Sequence, residues 1–156
     1  IPVHARMVLP PQPSIAHLRQ LILEKVQDDE RFLTGPVGQK QYNREINRSR
    51  VILSPFGWGE LCFRDFEAVL SGAVLLKPDM SHIETWPDVF SEGETYLGFQ
   101  WDASDLPEKA LTVLNDEGLR RRIAENAYNS YHEQIEKLDK RFEDILHEIL
   151  ACGDNE

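Results

Sequence analysis

The spacing of apolar and polar positions changes several times along the chain, and each change marks an element. A short apolar stretch at residues 5–9 is stopped by Pro10, Pro11 and Pro13. Beyond it Ser14 reads as an N-cap, and Ile15, Leu18, Leu21, Ile22 and Val26 recur at helical spacing. Residues 31–33 read as a brief strand closed by Gly35 and Pro36. Residues 39–47 predict a polar helix with Tyr42 and Ile46 on one face. Val51, Ile52 and Leu53 are a short apolar run of the kind a buried strand needs. They lead into a loop at 54–59 with two glycines, Gly57 and Gly59, then a helix over about 61–71 that Gly72 ends.

The pattern then repeats. Residues 73–76 predict a second apolar strand broken by Pro78, and 81–90 a loop with one helical turn. Residues 95–99 predict a further strand, and 102–115 a helix with Ser104 or Asp105 as N-cap and Pro107 in its first turn. From 117 to 150 the chain reads as helix almost throughout, with no Gly or Pro after Gly118. Short apolar strands alternating with helices predict an α/β fold, a parallel sheet of four or more strands joined by right-handed crossovers. The loop with Gly57 and Gly59 then lies at the carboxyl end of the strand that stops near Leu53. Residues 1–131 form the domain in this reading, with 132–156 as its helical extension.

Composition narrows the classes of function. At 156 residues, 41% hydrophobic and 28% charged, the chain suits one globular core. Seventeen Lys and Arg against 27 Asp and Glu leave a net charge of −10, which repels nucleic-acid backbones. A small phosphorylated ligand is still admissible, because a helix terminus or one Arg holds it locally. No apolar run approaches a transmembrane segment, and the first residues resemble no secretory signal. The chain does not begin with Met, which fits a processed product or a piece of something longer. Cys62 and Cys152 lie far apart without metal-type spacing, as expected of thiols in a reducing, cytoplasmic setting.

Candidate chemistry gathers in residues 54–79. A strand that feeds a glycine loop and a helix presents free backbone N–H groups at the strand's carboxyl end, where open α/β sheets bind ligands. Arg64 and Glu67, three apart, share one helix face. The Arg64 fork matches a diphosphate, and Glu67 can accept two hydrogen bonds from a ribose diol. The same residues also read as a solvent-facing ion pair and a pair of turn glycines. Lys77 reads either as a phosphate contact or as a solvated side chain. Asp79, His82, Glu84 and Asp88 match no established metal spacing, and no metal is expected. Trp58 and Trp86 read as core packing or as flanks of a base, and His4, His17, His132 and His147 sit in ordinary settings. The rival classes are a free-standing nucleotide-binding module and a non-catalytic interaction domain.

Arg64, Phe66, Glu67, Ala68 and Gly72 form an R-x-F-E-A…G pattern. Downstream come Glu94-Thr95-Tyr96, Asp105-Leu106 and Asn115-Asp116 with Arg122-Ile123-Ala124. This arrangement resembles the carboxyl-terminal domain of GT-B-fold glycosyltransferases of the group-1 and spore-coat type, over about residues 40–131. The resemblance implies a Rossmann-like domain, half of a GT-B architecture, that binds a nucleotide-diphosphate sugar as donor and needs no separate cofactor. It implies Glu67 as the ribose ligand, with Gly57, Gly59, Glu60 and Arg64 around the donor. A better-known subgroup carries a Glu eight residues earlier, where this chain has Gly59. Glu60, one place later, is the candidate for that catalytic position, which the resemblance otherwise leaves unassigned. Acceptor binding is implied to belong to a missing amino-terminal domain or a second chain, so that this chain alone is inactive.

Tyr131, Ile135, Leu138, Phe142, Ile145 and Ile149 are spaced 4, 3, 4, 3 and 4 apart, a narrow apolar seam among charged residues. Such a stripe is buried against the chain's own sheet, a partner helix as in a coiled coil, or the amino-terminal domain that the resemblance implies. With that domain absent, weak self-association through 131–150 is expected.

Overall fold

The computed structural model describes residues 1–153; the side chain of Cys152 and residues 154–156 lie outside what it describes. Five strands, β1 (Val3–His4), β2 (Phe32–Leu33), β3 (Val51–Leu53), β4 (Val74–Pro78) and β5 (Leu97–Phe99), form one sheet in the order β2-β1-β3-β4-β5. Every pairing is parallel, as the strand–helix alternation predicts. The helices are α1 (Pro13–Val26), α2 (Gln39–Ile46), α3 (Phe63–Ser71), α4 (Leu106–Asn115), α5 (Glu117–Glu136) and α6 (Leu138–Gly153).

Alternation along the strands divides the core in two. Val51, Leu53, Val74, Leu76, Leu97 and Phe99 face Ile22 and Val26 of α1, Leu106, Ala110 and Val113 of α4, and Ile123 of α5. Ile52 and Leu75 face the other way, toward Tyr42 and Ile46 of α2, Ala68 of α3, and Met80 and Tyr96. With both faces covered, β3, β4 and β5 read as largely apolar runs, and together with residues 31–33 four of the five strands were visible in the sequence.

Several boundaries differ from the sequence expectation. β1 has no counterpart there, because two residues are too few for a period to show. It exists through its neighbours: the Val3 amide donates to Arg31 O and the Ala5 amide to Leu33 O, both at 3.0 Å. α1 starts at Pro13 with Gln12 as N-cap instead of Ser14, since the fixed φ of proline suits the first helical position. α3 begins at Phe63, two residues late, because Asp65 accepts from the Cys62 amide at 2.9 Å and fixes the helix start there. β4 runs on through Lys77 to Pro78, which pairs with Phe99 as the last strand residue. Of the two N-cap candidates for α4, Asp105 holds the position.

The carboxyl-terminal helix is two helices, with the break at Lys137. Ser130 Oγ and Gln134 Nε2 both donate to Asp88 O, at 3.1 and 2.6 Å, and tie the end of α5 to the domain body. Tyr131 packs on Phe66 with ring centroids 5.8 Å apart. Past that point the seam leaves the body: Ile135, Leu138, Phe142, Ile145 and Ile149 are all exposed, Phe142 at 59% and Ile149 at 62%. The domain body therefore covers the seam only at Tyr131, and through α3 rather than the sheet.

Candidate functional site

The helix that carries Arg64 and Glu67 is pinned from beneath by one carboxylate. Asp65 and Lys77 are both fully buried, with Lys77 Nζ 3.0 Å from Asp65 Oδ2. Ser54 Oγ donates to Asp65 Oδ1 at 2.5 Å, and the Cys62 amide donates to Oδ2 at 2.9 Å. Burial pushes the Asp65 carboxyl above its ordinary pKa, against the pull of Lys77 and these hydrogen bonds. Lys77 Nζ also lies 5.1 Å from the Phe56 ring centroid. Lys77 is thus neither a phosphate contact nor a solvated side chain; it braces α3 against β4. Removing one member of such a pair costs about 3–5 kcal/mol, because the other is left charged and unpaired.

Pinned in this way, α3 presents Arg64 and Glu67 above the carboxyl ends of β1 and β3. Here the chain order reverses: β1 connects outward to β2, and β3 connects the opposite way to β4. In a sheet of this order the switch point between β1 and β3 is the crevice in which ligands bind. Arg64 and Glu67 are both half-buried there and form no ion pair with each other. Tyr42 of α2 links them: its hydroxyl donates to Glu67 Oε2 at 2.6 Å and accepts from Arg64 Nε at 3.1 Å. Arg64 also donates to Leu53 O at 3.3 Å, and its guanidinium carbon lies 5.6 Å from the Tyr42 ring centroid. Beside Glu67 opens a depression lined by Gln39, Tyr42, Phe63, Arg64 and Glu67.

The other predicted residues divide. A Cβ on Gly57 would sit 3.3 Å from Cys62 Sγ, so a side chain there would crowd the Cys62 thiol, while Arg19 Nη2 at 3.9 Å lies at ordinary contact distance. Its amide is not free, however, but donates to Gly59 O at 3.0 Å. Gly59 has open space where its Cβ would stand. Glu60 lies across from His82, Oε1 to Nε2 at 3.9 Å, and is not brought to Glu67. The His82 and Phe56 rings pack on Trp101, at 5.1 and 5.5 Å. Trp58 is 85% exposed and Trp86 38% exposed, so neither packs in the core. Among the described residues no three of His, Cys, Asp and Glu gather as a metal site, and Asp79, His82, Glu84 and Asp88 form no such group.

Sequence reasoning missed four side chains around the crevice besides Tyr42. Arg6, just past β1, donates through Nε and Nη2 to the two oxygens of Glu45, both at 2.9 Å, and to Thr34 O. Those bonds hold the Glu45 carboxyl down at about 2. His4 is fully buried, edge-on to Tyr42 with centroids 5.0 Å apart; its Nε2 faces Glu45 Oε2 at 3.5 Å, and neither ring nitrogen makes a well-formed hydrogen bond. Arg19 of α1 donates to Val8 O at 2.8 Å. The signal available was the alternation over residues 3–7, in which Val3, Ala5 and Met7 enter the core while His4 and Arg6 face Tyr42 and Glu45 of α2. A cleft at the opposite end of the strands, beside the amino-terminal ends of β3 and β4, is lined by Arg50, Arg120 and Arg121. There Arg120 is spent on Val113 O and Leu114 O, and Arg121 pairs with Glu117.

Burial, with Arg64 next in weight, lowers the His4 pKa from 6.5 to about 4. The unfolded chain binds this proton below about 6.5 and the folded chain only below about 4. Stability from the neutral ring is therefore complete above pH 6.5 and is lost as pH falls to 4, by on the order of 3 kcal/mol. Urea unfolding of the wild type should show this decline, and His4→Phe should flatten it. An equal decline in the variant would assign it to other groups.

The carboxyl-terminal domain of a group 1 family glycosyl transferase from Francisella tularensis superposes with a TM-score of 0.54 at 16% identity, covering 80% of this chain and 65% of that one. That likeness shows the fold. N-acetyl-alpha-D-glucosaminyl L-malate synthase from Bacillus anthracis is 33% identical over 72 residues, 44% of this chain and 19% of that protein. The chain thus spans less than two thirds of either relative. The profile of the family described as Glycosyl transferase-like matches residues 19–147, most of the chain, and the chain belongs to that family.

Proposed function

We propose that this domain binds a nucleotide-diphosphate sugar in the crevice between β1 and β3, for transfer of the sugar to an acceptor held elsewhere. The observation that carries the reading is the Arg64–Tyr42–Glu67 arrangement: a cationic fork and a carboxylate held side by side by one phenol. Arg64 faces the diphosphate and Glu67 the ribose diol, with Gly57 allowing the phosphates close to the backbone. Glu60, across the loop with His82, is the candidate on the sugar side. The donor is a substrate, and the reading assigns no separate cofactor. No helix among the described residues is long and apolar enough to cross a membrane. The unpaired thiol of Cys62 supports a reducing, cytoplasmic setting.

Calorimetric titration with UDP, GDP and their sugars tests the reading. Binding is expected, and Glu67→Ala should weaken it by about 1–3 kcal/mol, the range for a lost hydrogen bond to a charged group. Unchanged affinity in a folded Glu67→Ala variant would remove that residue from the site. The isolated chain should bind donor without transferring sugar, because acceptor contacts come from an amino-terminal domain or a second chain.

The exposed seam calls for such a cover. For the isolated chain we assign it to weak self-association through 131–150. Sedimentation should show a concentration-dependent dimer that Phe142→Glu with Ile145→Glu abolishes. A wild type that stays monomeric at high concentration would contradict it.

A further inference from the structure

We propose that the cleft at the amino-terminal ends of the strands binds an acidic sugar, one that carries a carboxylate on a hydroxylated ring. The cleft shares no residue with the β1–β3 crevice, and the inference stands whether or not the crevice takes a nucleotide.

The cleft lies between the starts of β3 and β4 and one face of α5. Its volume of about 480 Å³ falls within the roughly 300–1,000 Å³ of small-molecule sites. Three arginines line it, and each is placed differently. The backbone of Arg50 is fixed on both sides: its amide donates to Ile1 O at 2.9 Å, and its carbonyl accepts from the Val74 amide at 3.1 Å. Its guanidinium forms no hydrogen bond or ion pair among the described residues. Arg120 gives only Nη1 to the protein, to Val113 O at 3.0 Å and Leu114 O at 2.5 Å. The group is thereby anchored, with Nε and Nη2 left to donate. Arg121 meets Glu117 at 2.9 Å, but the two side chains are 70% and 72% exposed, where an ion pair holds little.

The α5 side of the cleft is mixed in character. Arg121, Glu125 and Asn129 are four apart and form one row of the helix, with Arg120, Ala124 and Tyr128 in the next. Neither Glu125 nor Asn129 has a side-chain partner among the described residues. Tyr128 is 44% exposed, and its ring packs on His132 with centroids 4.2 Å apart.

Arginine forks match carboxylate and phosphate groups in paired hydrogen bonds. A bare phosphate would meet Glu125 as a like charge and offer the Tyr128 ring nothing. A neutral sugar would leave the forks of Arg50 and Arg120 without an anion. A sugar carboxylate answers the whole lining: its anion goes to Arg50 and Arg120, its hydroxyls to Glu125 and Asn129, and a C–H face of its ring to Tyr128.

The test adds a trisaccharide of galacturonic acid to the full chain, with maltotriose, inorganic phosphate and glutamate as separate probes. Binding is followed by calorimetry and by amide chemical shifts. The acidic trisaccharide should bind saturably and shift Arg50, Gly72, Arg121, Tyr128 and Asn129. Each of the other three probes should bind at least tenfold more weakly. Arg50→Gln should lose at least tenfold in affinity for the trisaccharide and unfold at the wild-type Tm, because that guanidinium holds nothing in the fold. Tyr128→Ala should lose affinity while Tyr128→Phe, which keeps the ring, retains it. Phosphate bound as tightly as the trisaccharide would show a plain anion site and overturn the proposal. Equal binding of maltotriose or glutamate would overturn it too. So would unchanged affinity in Arg50→Gln, shifts confined to the crevice, or no binding at all. UDP added in parallel reads the crevice separately, so its binding or failure to bind decides only the donor reading.

Discussion

The geometry of the crevice depends on the Asp65 carboxylate. It receives the Ser54 hydroxyl from the end of β3, the Cys62 amide from the helix start and the Lys77 ammonium from β4. Three consecutive pieces of the chain are thereby fixed to one another around a single buried group. Arg64, one residue before Asp65, and Glu67, two after, have their directions set by that attachment. A buried ion pair contributes little net stability when compared with a well-packed apolar alternative. Its value here is positional: with both charges fully buried, a tilt of α3 would strip Lys77 of its partner.

The second constraint comes from the sheet order. With β1 and β3 adjacent and their connections leaving in opposite directions, the loops part and leave room above the strand ends. Side chains from α1, α2 and α3 converge on this space from both faces of the sheet. Most are paired: Arg6 with Glu45, and Glu67 with Tyr42. Arg19 and Arg64 are the exceptions, with no carboxylate ion-paired to either among the described residues; Arg19 donates to Val8 O, and Arg64 to the Tyr42 hydroxyl and Leu53 O.

The sequence made the parallel sheet legible where burial is total. Val51, Ile52 and Leu53 have no exposed face, so an apolar run sufficed to identify β3. β1 escaped because its second residue is His4, a polar side chain whose burial depends on Tyr42 and Glu45 from another element. Arg64 and Glu67 were readable because their relation is local to one helix. The residue that joins them, Tyr42, is 25 positions from Glu67, and only tertiary contact creates the link. Lys77 was misjudged for the same reason: its partner Asp65 lies across a helix-to-strand connection, and composition alone gives no sign of it. The apolar seam runs from Tyr131 and Ile135 in α5 across the break at Lys137 into α6, and its spacing carried no information about that break or about what covers it.

The proposed nucleoside diphosphate would sit in the crevice between β1 and β3, beside Arg64 and Glu67. Amide chemical shifts recorded while UDP or GDP is added test this residue by residue. Changes should concentrate on Arg6, Val8, Tyr42, Gly57, Cys62, Arg64 and Glu67, with Arg50, Arg120 and Arg121 at the amino-terminal ends of the strands unaffected. Changes centred on that amino-terminal end, with the crevice silent, would contradict a nucleotide site in the crevice.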